Sequence, residues 1–291
     1  MAGTILPTSQ ASSELERIYG SSSGTSIESV YHPDFWVEHA IRETFSSYGD
    51  IVDVKPKSLH KFGENLLVGT SRATIMSLPA GVLAETYATT NSISHISSSS
   101  AADAQIIRVE YHTVDGSGNF TFGSQLVTLN GQTKVALTTT CARVSRVENM
   151  GVTDNAGAIY VFEDDTLSSG VPTTSAKVHM IVEPGENQSL KAATTISNND
   201  YEFITQIKAS VNKKTTGGAV ICLRVREKGG VFKTKFKRGV NSNGPSLNMD
   251  FRPFLIVPQN ADIIMTAEAD GASTPVSAGW NSILATIKRD V

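Results

Sequence analysis

The stretch Ile106-Ile-Arg-Val-Glu-Tyr-His112 alternates apolar and polar residues, and the pattern resumes in Gln125-Leu-Val-Thr-Leu129 and Lys134-Val-Ala-Leu-Thr138. A period of two sends successive side chains to opposite faces of a pleated chain, so each run reads as a β-strand with one face toward a core. Between the second and third runs stands Asn130-Gly131, two residues that tolerate the positive φ of a tight turn. The trio therefore predicts antiparallel strands, with a hairpin at Asn130-Gly131.

The same period extends outward in both directions. Leu66-Leu-Val68, Ala73-Thr-Ile-Met76 and Asn119-Phe-Thr-Phe122 precede or interleave these runs; Ala142–Val147, Ala158–Phe162 and Lys177–Val182 follow them. Further runs begin at Tyr201, Ala219, Val231, Leu255, Asp262 and Ser282. Short strands at this spacing, punctuated by Gly, Asn and Pro, predict an all-β chain of two antiparallel β-sandwich or jelly-roll-like domains. Glu183-Pro-Gly-Glu-Asn187 combines Pro, Gly and charge and is the expected boundary, giving domains over residues 61–183 and 187–291. Gln105–Phe122 and Ile221–Phe236 echo each other as strand, Gly-containing turn and strand with two Phe residues, although their Phe spacings differ.

Residues 1–60 read differently. The first thirty are rich in Ser, Thr and Gly, with too few large apolar groups to offset the entropy of ordering them, and are expected to form an arm. Residues 33–48 show Val37, Ile41 and Phe45 at four-residue spacing beside Phe35 and Trp36, the pattern of a short amphipathic helix. Pro33 suits its first turn and Gly49 its end. A helix this short must dock its apolar stripe elsewhere, so Phe35, Trp36, Val37, Ile41 and Phe45 are the expected assembly contacts.

With 291 residues the chain is long enough for two cores. Its 25 basic and 28 acidic residues leave a net charge of −3 without like-signed blocks, so no global basic field points to nucleic acid. Cys141 and Cys222 sit in apolar alternating runs and read as buried thiols or a single bridge. The first ten residues lack the pattern of a signal peptide and no run approaches a membrane-spanning length, so a soluble protein made in the cytoplasm is expected.

Candidates for chemistry are few. Lys233, Lys235 and Lys237 alternate with Phe232, Thr234 and Phe236, which puts three cations on one face of a strand; this face either contacts an acidic partner or is simply solvated. Glu163-Asp-Asp165 lacks the spaced ligands of a calcium loop and reads as a polar turn. The six His residues never form HExxH, and His39 with Glu43 reads as a surface pair. No nucleophile elbow, phosphate loop or paired Cys-X-X-Cys occurs, so neither a metal nor a cofactor is expected. Asp270–Trp280 reads as a polar loop ending at a Trp that either fills the core or stacks on a sugar.

The arm, the Ser/Thr/Asn-rich strands, Gly229-Gly-Val-Phe-Lys-Thr-Lys-Phe236, Asp250-Phe-Arg-Pro-Phe254 and Val276-Ser-Ala-Gly-Trp280 together resemble virion structural proteins of tailed bacteriophages. The resemblance is fullest in the C-terminal domain and brings no catalytic residue with it. It implies a non-enzymatic, homo-oligomeric virion component that associates with capsid or tail proteins, in the first place a head-associated decoration or assembly component held by its arm. Two alternatives remain open: a tail or fibre module binding a host-surface glycan or protein through loops 113–118 and 270–279, and a carbohydrate-active enzyme on a β scaffold.

Overall fold

The structure, a computed structural model, describes residues 51–213, 216–244 and 246–289. Residues 57–287 form one compact unit. The proposed helix at 33–48 and its five assembly contacts lie outside the described residues.

The described chain is almost entirely β. Its strands are β1 (Ile51–Val68), β2 (Ala73–Thr74), β3 (Ile93–Ser98), β4 (Ile106–Val114), β5 (Phe120–Thr128) and β6 (Val135–Cys141). Next come β7 (Arg143–Asn149), β8 (Ile159–Glu163), β9 (Leu167–Ser168), β10 (Val171–Pro172), β11 (Val178–Val182) and β12 (Ala193–Thr195). The last six are β13 (Asp200–Val211), β14 (Gly218–Arg226), β15 (Lys233–Asn241), β16 (Leu247–Val257), β17 (Asp262–Ala269) and β18 (Thr274–Arg289).

Two sheets make the first lobe. One has the order β1-β18-β13-β16, the other β12-β17-β14-β15. From β12 onward the chain passes back and forth between them, apart from the β14–β15 hairpin, which is jelly-roll-like connectivity. Their facing residues alternate as the sequence period requires: Ile221, Leu223 and Val225 from β14, Ile263, Met265 and Ala267 from β17, and Val276, Ala278 and Trp280 from β18 all enter one core. At its more open end Phe236 meets Phe251 edge to face, with ring centroids 6.1 Å apart.

The second lobe is inserted into the first. Residues Ala73 and Thr74 pair with Ala267 and Thr266 of β17, and Ala193 takes up the same edge at Ile264. Ile75 and Ala192 meet where one segment hands over to the other, Ala192 N donating to Ile75 O at 3.0 Å. Between them β3 to β11 build the sheets β11-β8-β3-β6 and β5-β4-β7, whose core holds Ile93, Ile96, Val109, Val144 and Val161, with β9 pairing β10 beside them. Glu183–Asn187 does lie in the turn between β11 and β12. The chain path nevertheless places β1 and β2 with the later strands, because Val68 and Ile75 belong to the first lobe's core.

Asn130-Gly131 forms a tight turn, with Asn130 bridged to Thr133 and Gly131 at φ 55, but not the expected β-hairpin. The strands it joins go to different sheets: β5 pairs with β4, and β6 with β3. Gln125 spans the gap instead, its amide exchanging two hydrogen bonds with the Thr139 backbone at 2.9 and 3.0 Å. The expected loop at 270–280 is also shorter than the sequence suggested, since β18 begins at Thr274.

Candidate functional site

The sequence-derived basic face lies on β15, which pairs with β14 on one side and ends its sheet on the other. Lys233, Lys235 and Lys237 are exposed and, among the described residues, none has an ion-pair partner. A register shift falls within the run: Leu223 faces Phe236, and the next pair is Arg224 with Thr234. Lys235 is the extra residue, so the strict alternation stops there. Phe236 turns to the core while Phe232 lies on the other face, its ring 4.7 Å from the Arg226 guanidinium carbon. Lysines and a bulge on an open edge are the usual means of keeping such an edge from pairing with another chain.

A larger concentration of titratable groups lies where the lobes meet, and the sequence did not reveal it. Asp262, at the start of β17, accepts from Arg143 Nε of β7 at 3.0 Å, from Thr195 Oγ1 at 2.7 Å and from Arg226 Nη2 at 2.5 Å. Burial pushes the Asp262 carboxyl up, but Arg143, the Arg143 and Thr195 hydrogen bonds and Arg226 outweigh it and hold the group below its ordinary value. The Arg143 guanidinium also lies 4.8 Å from the Tyr87 ring and 4.9 Å from that of Phe120. Beside this group Lys191 pairs with buried Glu85 and donates to Val144 O at 2.8 Å. Lys61 of β1 donates to Ser145 O at 2.8 Å across the same junction, and burial, helped by Arg146 and Lys191, lowers it to about 7.

A cavity of about 240 Å3 opens at this junction, lined by Lys61, Glu110, His112, Ser145, Thr195 and Asp200 among others. His112 Nδ1 is 3.1 Å from Ser145 Oγ, and burial with the charge of Lys61 lowers the imidazole to about 3. A neutral His against a hydroxyl superficially suggests a nucleophile and its base. Around this pair the Lys61 ammonium is committed to one backbone carbonyl, Ser145 O, and Arg143 to another, Ala88 O at 2.5 Å.

The remaining sequence candidates resolve simply. Trp280 is 1% exposed and fills the first lobe's core, so it stacks on no sugar. Its Nε1 donates to Glu202 Oε1. The acidic turn satisfies itself internally: Glu163 pairs with His179, Asp164 with Lys134, and Asp165 accepts from Thr174 N at 2.7 Å. Among the described residues no group of His, Cys, Asp or Glu is placed to hold a metal. Cys141 and Cys222 are free, buried thiols, and burial pushes Cys141 up to about 12. In the 113–118 loop the Asp115 carboxylate accepts from Ser117 N and Asn119 N at 2.9 and 2.8 Å, which closes the turn on itself.

The outer face of the first sheet carries a different arrangement. His60 Nδ1 lies 2.8 Å from Asn281 Oδ1; Asn281 Nδ2 donates to Gln206 Oε1 at 2.8 Å; Gln206 Nε2 donates to Asp250 Oδ1 at 2.9 Å. One polar row thus crosses β1, β18, β13 and β16. It borders a concavity of about 440 Å3 lined by His60, Phe62, Lys208, Asn248, Gly279 and Asn281, among others.

No protein-family model matches the chain, and no curated protein matches it either. Among solved structures, one of the infectious bursal disease virus Gx strain aligns over 84% of this chain and 75% of its own at 8% identity, with a TM-score of 0.19. T=1 particles derived from infectious bursal virus align over 86% and 79% at 10% identity, with a TM-score of 0.16. The VP2 subviral particle of infectious bursal disease virus aligns over 85% and 77% at 13% identity, with a TM-score of 0.14. At these scores the likeness carries no argument.

Proposed function

We propose that this protein is a non-enzymatic structural component of a virus particle of the tailed-bacteriophage kind, associated with the head and held there by residues 1–49. The observation that carries the reading is the junction of the lobes, where Arg143, Asp262 and Arg226 join β7 to β14 and β17 with both Arg143 and Asp262 buried. Buried ion pairs of this kind contribute modestly to net stability but penalise any movement that separates the partners. They bind two lobes into one body, which suits a part packed in many copies. The jelly-roll-like lobe is an architecture found in capsid and lectin domains, so the fold admits the role without specifying it.

The guarded edge of β15 fits the same reading, since a part at high local concentration must not pair strands at random. The test is direct. Gold-tagged antibody against residues 61–291 is expected to decorate the heads of purified particles, and deletion of residues 1–49 to abolish incorporation while leaving the β lobes folded. Label confined to tails, or incorporation of the armless protein, would overturn the respective part of the proposal.

A further inference from the structure

The concavity on the outer face of the first sheet has the chemistry of a ligand site. Two amides line it: Asn281 is held in place by His60 and Gln206 on the neighbouring strands, and Asn248 stands exposed on β16. Gly279 lines it where β1 approaches β18 closely, a Cβ there standing 2.2 Å from Lys61 O. Phe62 stands at the rim, 53% exposed although it is a large apolar ring. No Asp or Glu lines the concavity, Asp250 standing outside it at the far end of the polar row, while Lys208 does line it, exposed and without an ion-pair partner among the described residues. The ammonium of Lys61 is turned away to Ser145.

These features narrow the ligand. The backbone groups of β13 and β18 beneath the face are engaged on both sides by neighbouring strands, so an added peptide strand finds no partner there. The side-chain amides of Asn248 and Asn281 beside an exposed ring instead match vicinal hydroxyls and the apolar face of a sugar. One cation among neutral groups suits a single carboxylate rather than a run of phosphates, which would need a basic track. The volume lies within the range of small-molecule sites, about 300–1,000 Å3. We propose that this concavity binds an acidic saccharide, with the carboxylate on Lys208, hydroxyls on Asn248 and Asn281, and a sugar ring against Phe62.

This inference is independent of where the protein sits in a particle. The test is calorimetric titration of the purified full chain with a uronic-acid trisaccharide, beside the neutral hexose trisaccharide and a short oligonucleotide. Saturable binding of the uronate is expected, with little heat from the neutral sugar. Lys208→Ala should weaken uronate binding about tenfold, the value of one charge-assisted hydrogen bond, and Lys208→Arg should restore most of it. Phe62→Ala should weaken it as well, whereas Lys235→Ala on the remote edge strand should not. All three positions are exposed, and circular dichroism will confirm that the four variants are folded. Absence of uronate binding at millimolar concentration, equal binding of the neutral sugar, displacement of the uronate by the oligonucleotide, or indifference to Lys208→Ala would each overturn the proposal.

Discussion

The Trp280 indole and the Glu202 carboxylate meet at 2.5 Å, with neither side chain reaching solvent. Ser282 Oγ donates to the same Oε1 at 2.5 Å, while Oε2 finds no partner among the described residues. An ionised carboxylate in that position is under-satisfied, and burial raises its pKa above the ordinary 4.5. For an acid whose folded pKa is raised, the stabilising contribution is full below the unfolded pKa and is lost as pH rises through the folded one. Glu202→Gln keeps an acceptor for Trp280 and Ser282 and removes the charge. It should melt higher than the parent at pH 8, and the gap should close toward pH 4. A gap that is constant with pH would show that Glu202 does not titrate in this way.

Lys61 should produce the opposite slope. Its folded pKa of about 7 lies below the ordinary 10.5, so its protonated form is disfavoured by folding and stability rises between about 7 and 10.5. Lys61→Met should flatten that rise in chemical denaturation measured at pH 7 and pH 10. An unchanged rise would assign it to another group.

Asp262→Ala leaves Arg143 buried without its carboxylate and strips Arg226 of its ion pair. Removing one partner of a buried ion pair typically costs about 3–5 kcal/mol, so a large fall in the urea midpoint is expected. The double variant Asp262→Ala with Arg143→Met should recover part of the loss, because the stranded charge goes with it. No recovery would mean that the carboxylate acts chiefly through Arg226 and Thr195.

Gly279→Ala should be among the most damaging single-methyl additions in the chain. The new Cβ would stand 2.2 Å from Lys61 O and 3.0 Å from Phe62 Cα, forcing β1 off β18. Overpacking of this kind costs about 1–3 kcal/mol. Gly239→Ala, where nothing lies within 4 Å, serves as the control and should be nearly silent in a thermal melt.

Replacing Lys233, Lys235 and Lys237 with Val would leave the open edge of β15 uncharged. Concentration-dependent association in size-exclusion chromatography with light scattering is expected, since charged edges suppress strand addition. A strictly monodisperse variant would show that the bulge alone protects the edge.

How much of this was legible beforehand follows from what each signal depends on. Alternation such as Ile221-Cys-Leu-Arg-Val225 is set by a strand's own two faces, so the strands and the all-β class could be read directly. Arg143 and Asp262 could not, because each occupies a position that looks solvent-facing within its own strand. The seam exists only once β7 is laid against β17, 119 residues away. The bulge at Lys235 is likewise invisible locally, since it is a property of the pairing with β14. Asn130-Gly131 gave the turn correctly but not its partners: a turn fixes a change of direction, while the side chain of Gln125 and the pull of two cores decide which sheet each strand joins.

The order β1-β18-β13-β16 has a consequence for how the protein is made. β18 is the last of the described strands in chain order, yet it fills the place between β1 and β13, and β13 cannot bond to β1 without it. Until translation reaches Thr274–Arg289, the first strand of the described chain waits with an exposed, uncompleted edge. The inserted lobe closes on strands that are all synthesised earlier, so it is free to form while that edge stands open. Completion of the sandwich is therefore tied to residues 274–289, and a chain that stalls before them would present β1 to whatever strand comes first.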